Sequence, residues 1–349
     1  MNDIIIPKPK ILLPENDPLH IIKTRKITHN RPATIAGPMV RYSKLPFRQL
    51  CRDYDVDIVY TPMILAREFV RNGNARLADF TTNSKDTPLI VQVGVNNVTD
   101  LLKFTEMVGP YCDGIGINCG CPIKEQIREG VGCALIYNPK LLASMVSAVK
   151  QKYGDTLRLE TKIRIHDDLD QTIDLCNKVC DAGVDWITIH GRTRTTRSSQ
   201  PVNLDAIKYI VSKIKYRNVP VVANGDCFKL SDLEKIGDYT NVEGVMAVRG
   251  LLNNPALFAG YARCPWGCIE KFWYWAIEYS CLPYQLIQHH LFCMLEDMQL
   301  QRDLLKEMML IKNTSELIDW FDLHFDFKRH GEERFGEETD IPYKSIMKN

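Results

Sequence analysis

The chain has 349 residues, of which 45% are hydrophobic, and a formal net charge of +1 at pH 7. This length accommodates one large domain and a small one, and the near-zero charge neither demands nor excludes a nucleic acid as partner. The apolar runs are interrupted by charges before they reach the length of a membrane span, and residues 1–7 lack the order of a signal peptide.

The twelve cysteines are scattered along the chain and include no Cys-x-x-Cys pair. Without an export signal, this usage favours a reduced cytosolic or nuclear compartment over a disulfide framework. Cys176 and Cys180, like Cys264 and Cys268, are four residues apart, but no partner at zinc-finger spacing follows either pair. We therefore expect structural cysteines on helices and no metal.

Short, β-branched apolar segments recur along the chain and are typical of parallel strands buried on both faces. They lie at 34–37, 58–61, 89–93, 114–118, 157–163, 186–189, 219–223 and 242–248. Amphipathic stretches, which predict helices, lie between them at 101–108, 139–152, 169–182, 204–215 and 231–237. Eight strand–helix units predict an α/β fold of the (β/α)8 TIM-barrel type, with a doubly wound sheet as the alternative.

A different pattern follows the barrel. Segments 271–280, 284–309 and 315–324 predict a small all-helical domain whose aromatic, Leu and Met stripes indicate a packed core. The charged stretch that ends the chain is predicted to be a loose tail, and the Pro-containing start is predicted to be an arm. The predicted divisions are an arm at 1–32, a barrel at 33–262, a helical domain at 263–326 and a flexible charged tail at 327–349.

Polar residues stand where the predicted strands end. Each could be a chance loop residue, but together they are typical of the catalytic rim at the carboxyl ends of barrel strands. These residues are Gln92, Asn118, Lys162, Arg164, His190, Arg192, Asn224, Asp226 and Arg249.

The segment Asn118-Cys119-Gly120-Cys121-Pro122 follows a predicted strand directly. Gly120 permits a sharp turn and Pro122 stiffens the exit, so the turn points one thiol in a fixed direction. A thiol with an ordinary pKa of about 8.5 is protonated at neutral pH and can act as an acid. The alternatives are a buried structural cysteine or a hydrolytic Cys121–His190 pair.

Several motifs occur together in a fixed order. They are Ala36-Gly37-Pro38-Met39-Val40 with Pro46-Phe47-Arg48, Val91-Gln92-Val93, the Asn-x-Gly-Cys-Pro element, Gly130-x-Gly132, Lys162-x-Arg164, His190-Gly191-Arg192-Thr193, Asn224-Gly225-Asp226 and Arg249-Gly250. This series, over roughly residues 33 to 260, resembles the tRNA-dihydrouridine synthases. The segments at 36–44, Ala-Gly-Pro-Met-Val-Arg-Tyr-Ser-Lys, and at 118–122, Asn-Cys-Gly-Cys-Pro, look like the eukaryotic branch that modifies positions 20a and 20b of the tRNA D-loop.

The resemblance implies an FMN-dependent oxidoreductase that reduces the C5–C6 double bond of D-loop uridines, with NADPH or NADH as electron donor. Cys121 is then the proton donor to C5. The implied FMN-binding residues are Pro38, Met39, Val40, Gln92, Lys162, His190, Asn224, Gly225, Asp226, Val248, Arg249 and Gly250. The implied substrate-binding residues are Asn118, Arg164, Arg192, Arg194 and Arg197. The implied partner is tRNA, and we expect a monomer with neither membrane nor metal.

The resemblance implies a particular role for each of these residues, and most of them have a simpler structural alternative. Lys162 places a cation near the flavin ring, where negative charge develops, and the Lys162-x-Arg164 motif favours this role over the alternative of a surface lysine that caps a strand. Asp226 is assigned a backbone contact only, because its carboxylate would repel the flavin phosphate. His190 is equally compatible with a core histidine, Arg192 with a solvated loop residue and Asn118 with an ordinary turn.

Two departures from the family pattern concern the FMN and tRNA sites. Val248 stands where many relatives have glycine, which alters the shape of the phosphate pocket. Residues 263–349 contain ten Lys and Arg against fifteen Asp and Glu, so no basic RNA-binding face is evident there.

The densest basic stretch lies in the barrel instead. It consists of Arg192, Arg194, Arg197, Lys208, Lys213, Lys215 and Arg217, with Asp205 opposing it. We assign its loop arginines to RNA contact and leave its helix lysines open. The competing hypotheses are a flavin barrel acting on a free pyrimidine-like molecule and a non-catalytic RNA-binding protein.

Overall fold

A computed structural model describes residues 12–344. Its strands are β1 (Ala33–Ala36), β2 (Ile58–Tyr60), β3 (Ile64–Leu65), β4 (Leu89–Gly94), β5 (Gly114–Cys119), β6 (Arg158–Arg164), β7 (Trp186–His190), β8 (Val221–Asn224) and β9 (Gly244–Ala247). Its α-helices are α1 (Pro18–Thr28), α2 (Leu45–Asp53), α3 (Ala66–Arg71), α4 (Gly73–Asp79), α5 (Val98–Val108), α6 (Lys124–Arg128), α7 (Pro139–Tyr153), α8 (Leu169–Asp181), α9 (Leu204–Lys213), α10 (Leu230–Thr240), α11 (Arg249–Asn253), α12 (Trp266–Tyr279), α13 (Tyr284–Asp297), α14 (Arg302–Leu310) and α15 (Thr314–His324). Short 3-10 helices lie at Gly109–Tyr111, Gly132–Tyr137 and Leu257–Ala259.

Eight of these strands close into a parallel barrel. β1 pairs with both β9 and β2, β2 pairs with β4, and the remaining strands follow in chain order from β4 to β9. The predicted barrel and the predicted C-terminal helical region are thus confirmed. The two-residue β3 pairs with the carboxyl end of β4, with Ile64 opposite Val93. It was not predicted, because so short a segment shows no periodicity.

A helix closes the base of the barrel. Within the predicted arm, α1 buries Ile21 and Ile22 in the cluster that fills the barrel interior together with Tyr60 and Trp186. The Asp17 side chain accepts from the Leu19 backbone N–H at the start of this helix and also pairs with Arg158 of β6 at 2.7 Å. The interior is therefore packed from below, and access is left to the opposite end.

The C-terminal helices pack on one side of the barrel, where α12 lies against α2. The prediction of one continuous helix over 284–309 is wrong, because the chain forms two helices, α13 and α14, with a break between them. Gln299 adopts a left-handed conformation, with φ of 63°, and the Leu300 backbone N–H donates to the Leu295 carbonyl. This is a Schellman-type helix end, and it turns Leu300 into the core.

The prediction of a loose tail is wrong over residues 327–344. Phe327 is buried, and the Phe325 and Tyr343 backbones form a β-bridge. The buried Glu270 carboxylate of α12 accepts from the Lys328 and Gly336 backbone N–H groups at 2.8 and 2.7 Å. The segment is ordered because its backbone N–H groups donate hydrogen bonds to a buried carboxylate that would otherwise have no partner.

Within residues 12–344, no single helix is both long and apolar enough to cross a bilayer. One pair of segments, 124–137 and Pro139–Tyr153, meets the criteria only when joined, and its halves bend by 87°.

We expect Glu270→Ala to lower the free energy of unfolding by about 1–3 kcal/mol, because it leaves buried donors without an acceptor. Trp266 Nε1 at 2.9 Å and the two backbone N–H groups of residues 328 and 336 would lose their partner. Urea unfolding and limited proteolysis after residue 326 measure the effect. Glu278→Ala, at an exposed position of the same helix, is the matched control, and an equal loss in both variants would contradict the assignment.

Candidate active site

A cavity of about 330 Å³ opens at the carboxyl ends of the barrel strands. Most of the residues predicted to bind cofactor or substrate line it. They are Pro38, Val40, Gln92, Asn118, Cys121, Lys162, Arg164, His190, Arg192, Asn224, Gly225, Asp226, Val248, Arg249 and Gly250. Met39, Arg194 and Arg197 do not line the cavity. Met39 is buried behind it, where its backbone N–H donates to Ser43 Oγ at 2.8 Å.

The loop that carries Cys121 is held by a fork of hydrogen bonds. Asn118 Oδ1 accepts from the Gly120 and Cys121 backbone N–H groups at 3.1 and 2.9 Å. The Cys121 carbonyl accepts from the Cys133 N–H at 3.0 Å, and Arg164 Nε donates to the Gly120 carbonyl at 3.0 Å. The thiol therefore enters the cavity from a fixed turn, as the Gly-Cys-Pro sequence predicts.

The Cys121 thiol is protonated at neutral pH. Partial burial raises its pKa, and the Ile123 backbone N–H, Arg164 and Lys162 oppose this rise. The same three groups would stabilise the thiolate left behind after the proton has gone. Cys121 can thus serve as an acid whose conjugate base is supported, which is the chemistry expected of it.

Gln92 and Asn118 form a pair of amides at the cavity wall. Asn118 Nδ2 donates to Gln92 Oε1 at 2.8 Å. Gln92 Nε2 is buried and donates no hydrogen bond to any group of residues 12–344. This orphaned N–H can satisfy a carbonyl of a planar polar ligand, whereas Asn118 uses its oxygen on the loop and has one amide N–H left for a substrate.

Lys162 lies at the end of β6 and is nearly buried. Its Nζ donates to Asn224 Oδ1 at 2.7 Å, and Asn224 is itself held by the Met246 carbonyl through Nδ2 at 3.0 Å. Burial lowers the pKa of Lys162, Glu160 opposes this change and Arg164 adds to it. Because Lys162 lines the cavity and is only 8% exposed, its ammonium lies at the cavity wall rather than out in solvent.

His190 is neutral in this site. Burial lowers its pKa to about 2, with further lowering by Lys162, Arg164, Arg192 and Arg249. Its Nε2 lies 3.1 Å from Arg192 Nη1, which can only donate, so the ring proton is on Nδ1. His190 can therefore offer one N–H to a ligand but cannot act as a cationic acid.

Asp226 joins two arginines at the far side of the cavity. Its carboxylate accepts from Arg192 at 2.6 Å and from Arg249 at 2.7 Å, and also from the Val202 backbone N–H at 2.8 Å. The side chain is thus occupied by cations, and the backbone contact predicted for Asp226 stays a prediction. The Arg192 guanidinium is 3% exposed and also bonds the Gln200 carbonyl, so its role toward substrate stays a prediction as well.

Close backbone packing shapes the side of the cavity formed after β8 and β9. A Cβ on Gly250 would lie 2.2 Å from the Cys227 carbonyl oxygen, and one on Gly225, at φ of 137°, would lie 2.5 Å from Val202. Gly37 makes room for the unusual Val248, because a Cβ there would lie 2.7 Å from Val248 Cγ2. Val248, Arg249 and Gly250, at the start of the short helix α11, line this side.

Sequence reasoning missed several lining residues, namely Met63, Gly120, Ser198, Cys227, Phe228 and Met246. Phe228 is the aromatic residue in this set; it is exposed, and the Arg249 guanidinium lies 5.1 Å from its ring centre. Its only sequence signal is its position four residues after the end of β8. Ser198 carries no signal, because a long loop places it.

The basic stretch divides into exposed and structural members. Arg194 and Arg197 are exposed on the loop after β7, and Arg194 lies 5.6 Å from the Tyr137 ring centre at the rim. Arg217 donates to the Val211 and Ser212 carbonyls and so caps α9. Contact of the loop arginines with RNA stays a prediction.

In the described part of the chain, no group of three or more His, Cys, Asp or Glu side chains could hold a metal ion. The cavity instead combines one thiol, amides and several cations. Such a donor set suits an anionic, planar ligand with a phosphate better than a metal.

Comparison with solved structures shows the fold alone. A 2-naphthoyl-CoA reductase in complex with 2-naphthoyl-CoA superposes with a TM-score of 0.50 at 10% identity, covering 65% of this chain and 49% of that chain.

Comparison with curated proteins is more specific. A Saccharomyces cerevisiae protein named tRNA-dihydrouridine(20a/20b) synthase (NAD(P)+) is 74% identical over 343 residues, which cover 98% of this chain and 94% of the relative. A Schizosaccharomyces pombe protein of the same name is 48% identical, with 93% and 96% covered. The family model described as Dihydrouridine synthase (Dus) matches residues 34–346. The chain therefore belongs to the dihydrouridine synthase family.

Proposed function

We propose that this protein is a tRNA-dihydrouridine synthase that uses FMN and NADPH or NADH to reduce uridines 20a and 20b of the D-loop. The observation that carries this proposal is the half-buried, protonated Cys121 thiol at the mouth of a barrel whose wall also holds Lys162 and the unpaired Nε2 group of Gln92. Support comes from two relatives whose names give tRNA-dihydrouridine(20a/20b) synthase and NAD(P)+. They are 74% and 48% identical and match nearly the full chain.

The cavity residues fit FMN. The buried Gln92 Nε2 lacks an acceptor, which a flavin carbonyl would supply. Lys162 brings a positive charge, and the arginine pair of residues 192 and 249 together with the start of α11 makes one side of the cavity suitable for a phosphate. When bound, FMN would supply the hydride that adds to C6 of uracil.

The protein would supply the proton. The Cys121 S–H bond breaks as its proton passes to C5 of uracil, so that one hydride and one proton together saturate the double bond. Arg164 and Lys162 stabilise the resulting thiolate, which takes a new proton from solvent. Asn118 holds the turn that aims the sulfur, and the two hydrogen bonds to its Oδ1 keep the loop from moving away.

The substrate uridine must leave its stack to reach this depth. A base in the barrel mouth is accessible only when it is turned out of the RNA helix, and the D-loop is already partly unstacked. The Asn118 amide N–H and the His190 Nδ1–H are then available to uracil carbonyls, whereas Arg194 and Arg197 are available to phosphates at the rim.

We expect Cys121→Ala to abolish dihydrouridine at 20a and 20b while FMN stays bound, because the substitution removes the proton donor but no cofactor contact. The rate should fall by about 10²–10⁴-fold, the usual contribution of a positioned acid. Dihydrouridine mapping of tRNA from cells carrying the variant measures the loss, and flavin absorbance of the purified protein measures retention.

The control for this experiment is Cys281→Ala, which removes a half-buried thiol outside the cavity. Unchanged modification at both positions in the Cys121 variant would remove the thiol from its proposed role. Colourless protein that cannot be reconstituted with FMN would favour a non-catalytic RNA-binding protein.

We expect FMN affinity to weaken as the pH rises through the lowered pKa of Lys162, because the lysine is charged below that value and neutral above it. The step should therefore lie below about 10.4, the ordinary lysine value. Fluorescence titration of FMN across pH 6–10.5 measures it. Lys162→Arg should remove the step, since a guanidinium stays charged throughout this range; a step that persists unchanged in this variant would assign it to another group.

A further inference from the structure

A carboxylate is sealed inside the barrel beneath the active site. Glu160 of β6 has no solvent exposure, and neither of its oxygens makes a hydrogen bond of ordinary geometry within the described chain. Tyr60 Oη, Trp186 Nε1 and Thr188 Oγ1 are also buried, and none of them makes a hydrogen bond of ordinary geometry within residues 12–344. These three donors face the carboxyl group and favour its ionised form. So many unpaired polar atoms in one layer of a packed interior require a reason.

The chain makes room for this carboxylate. Gly116 is the register neighbour of Glu160 on β5, and Trp186 is its neighbour on β7. A Cβ on Gly116 would lie 2.6 Å from Glu160 Oε2 and 3.4 Å from Tyr60 Cε1. The Glu160 carboxylate therefore occupies the space that a side chain at position 116 would need.

Lys162 follows two residues later on the same inward face of β6. Burial alone would neutralise both groups, because it raises the pKa of Glu160 and lowers that of Lys162. Each group opposes this effect on the other. The other titratable or charged groups that act on the pair are Tyr60, Cys119, Cys121, Cys133, Arg164 and His190.

We infer that Glu160 is a positioning residue, a buried counter-charge that keeps the Lys162 ammonium charged at the cavity wall. Glu160 does not line the cavity and so acts only through Lys162. Tyr60, Trp186 and Thr188 lie near the carboxyl group and favour its ionised form, while Asn224 Oδ1 accepts a hydrogen bond from the ammonium. The inference rests on the proposed function, because it assigns the charge of Lys162 to a bound flavin.

Glu160→Gln tests the inference, since it removes the charge and keeps the shape. Labelled lysine side chains followed by NMR in cofactor-free protein report the titration of Lys162, which Lys162→Arg identifies. We expect the Lys162 midpoint to fall by about one pH unit, a tenfold change in acid dissociation. The pH at which FMN affinity weakens should fall by the same interval, which a merely structural role would not produce.

Two further variants keep the test decisive. Tyr60→Phe removes one donor to the carboxylate and should shift the midpoint in the same direction by less, even if Glu160→Gln does not fold. Thr161→Val removes a buried hydroxyl of the neighbouring residue on the opposite face of β6 and should leave the midpoint unchanged.

An unmoved midpoint in both the Glu160 and Tyr60 variants would overturn the inference. This failure is distinct from failure of the proposed function, which wild-type protein unable to bind FMN or to form dihydrouridine would reveal. The titration of Lys162 is measured without cofactor and decides the inference in either case.

Discussion

Closure of the parallel sheet is the constraint on which the site depends. The β1–β9 and β2–β4 pairings turn an open sheet into a cylinder, so the carboxyl ends of strands far apart in sequence meet at one mouth. The hydrogen bond between Asn118 and Gln92 joins the adjacent strands β5 and β4, and the one between Lys162 and Asn224 joins β6 to β8. Closure of the barrel directs both pairs to the same mouth. The interior fills below them with α1 and aromatic side chains, which leaves the mouth as the place for a ligand.

The cavity gathers positive charge and uses carboxylates in two ways to hold it. Asp226 lies at the cavity wall and forms ion pairs with Arg192 and Arg249. It therefore orients two guanidinium groups that can also interact with a phosphate. Glu160 lies below the floor, where it opposes the loss of charge that burial imposes on Lys162. The same attraction thus orients arginines in one place and preserves a protonation state in the other.

Two residues of the sequence motifs are structural in whole or in part. Arg48 of the Pro-Phe-Arg motif is buried, pairs with Asp86 at 2.6 Å and bonds the Ser43 and Thr81 carbonyls, so it ties α2 to the loop before β4. Asn118 spends its oxygen on the cysteine loop. Asn118 thereby fixes the turn that carries Cys121, and Arg48 fixes a helix of the barrel wall. Supporting contacts have this role in preorganised sites.

Local pattern alone determined the strand–helix alternation, the barrel class and the Cys121 turn, because buried strands, amphipathic helices and Gly-Cys-Pro turns are each encoded by residues close in sequence. Only the tertiary structure decided that residues 327–344 pack against Glu270, that Phe228 reaches the cavity and that Glu160 lies against Gly116. Each of these depends on contacts between segments that are distant in sequence. A charged tail or a glutamate in a strand has the same local sequence pattern whether or not another part of the fold packs against it.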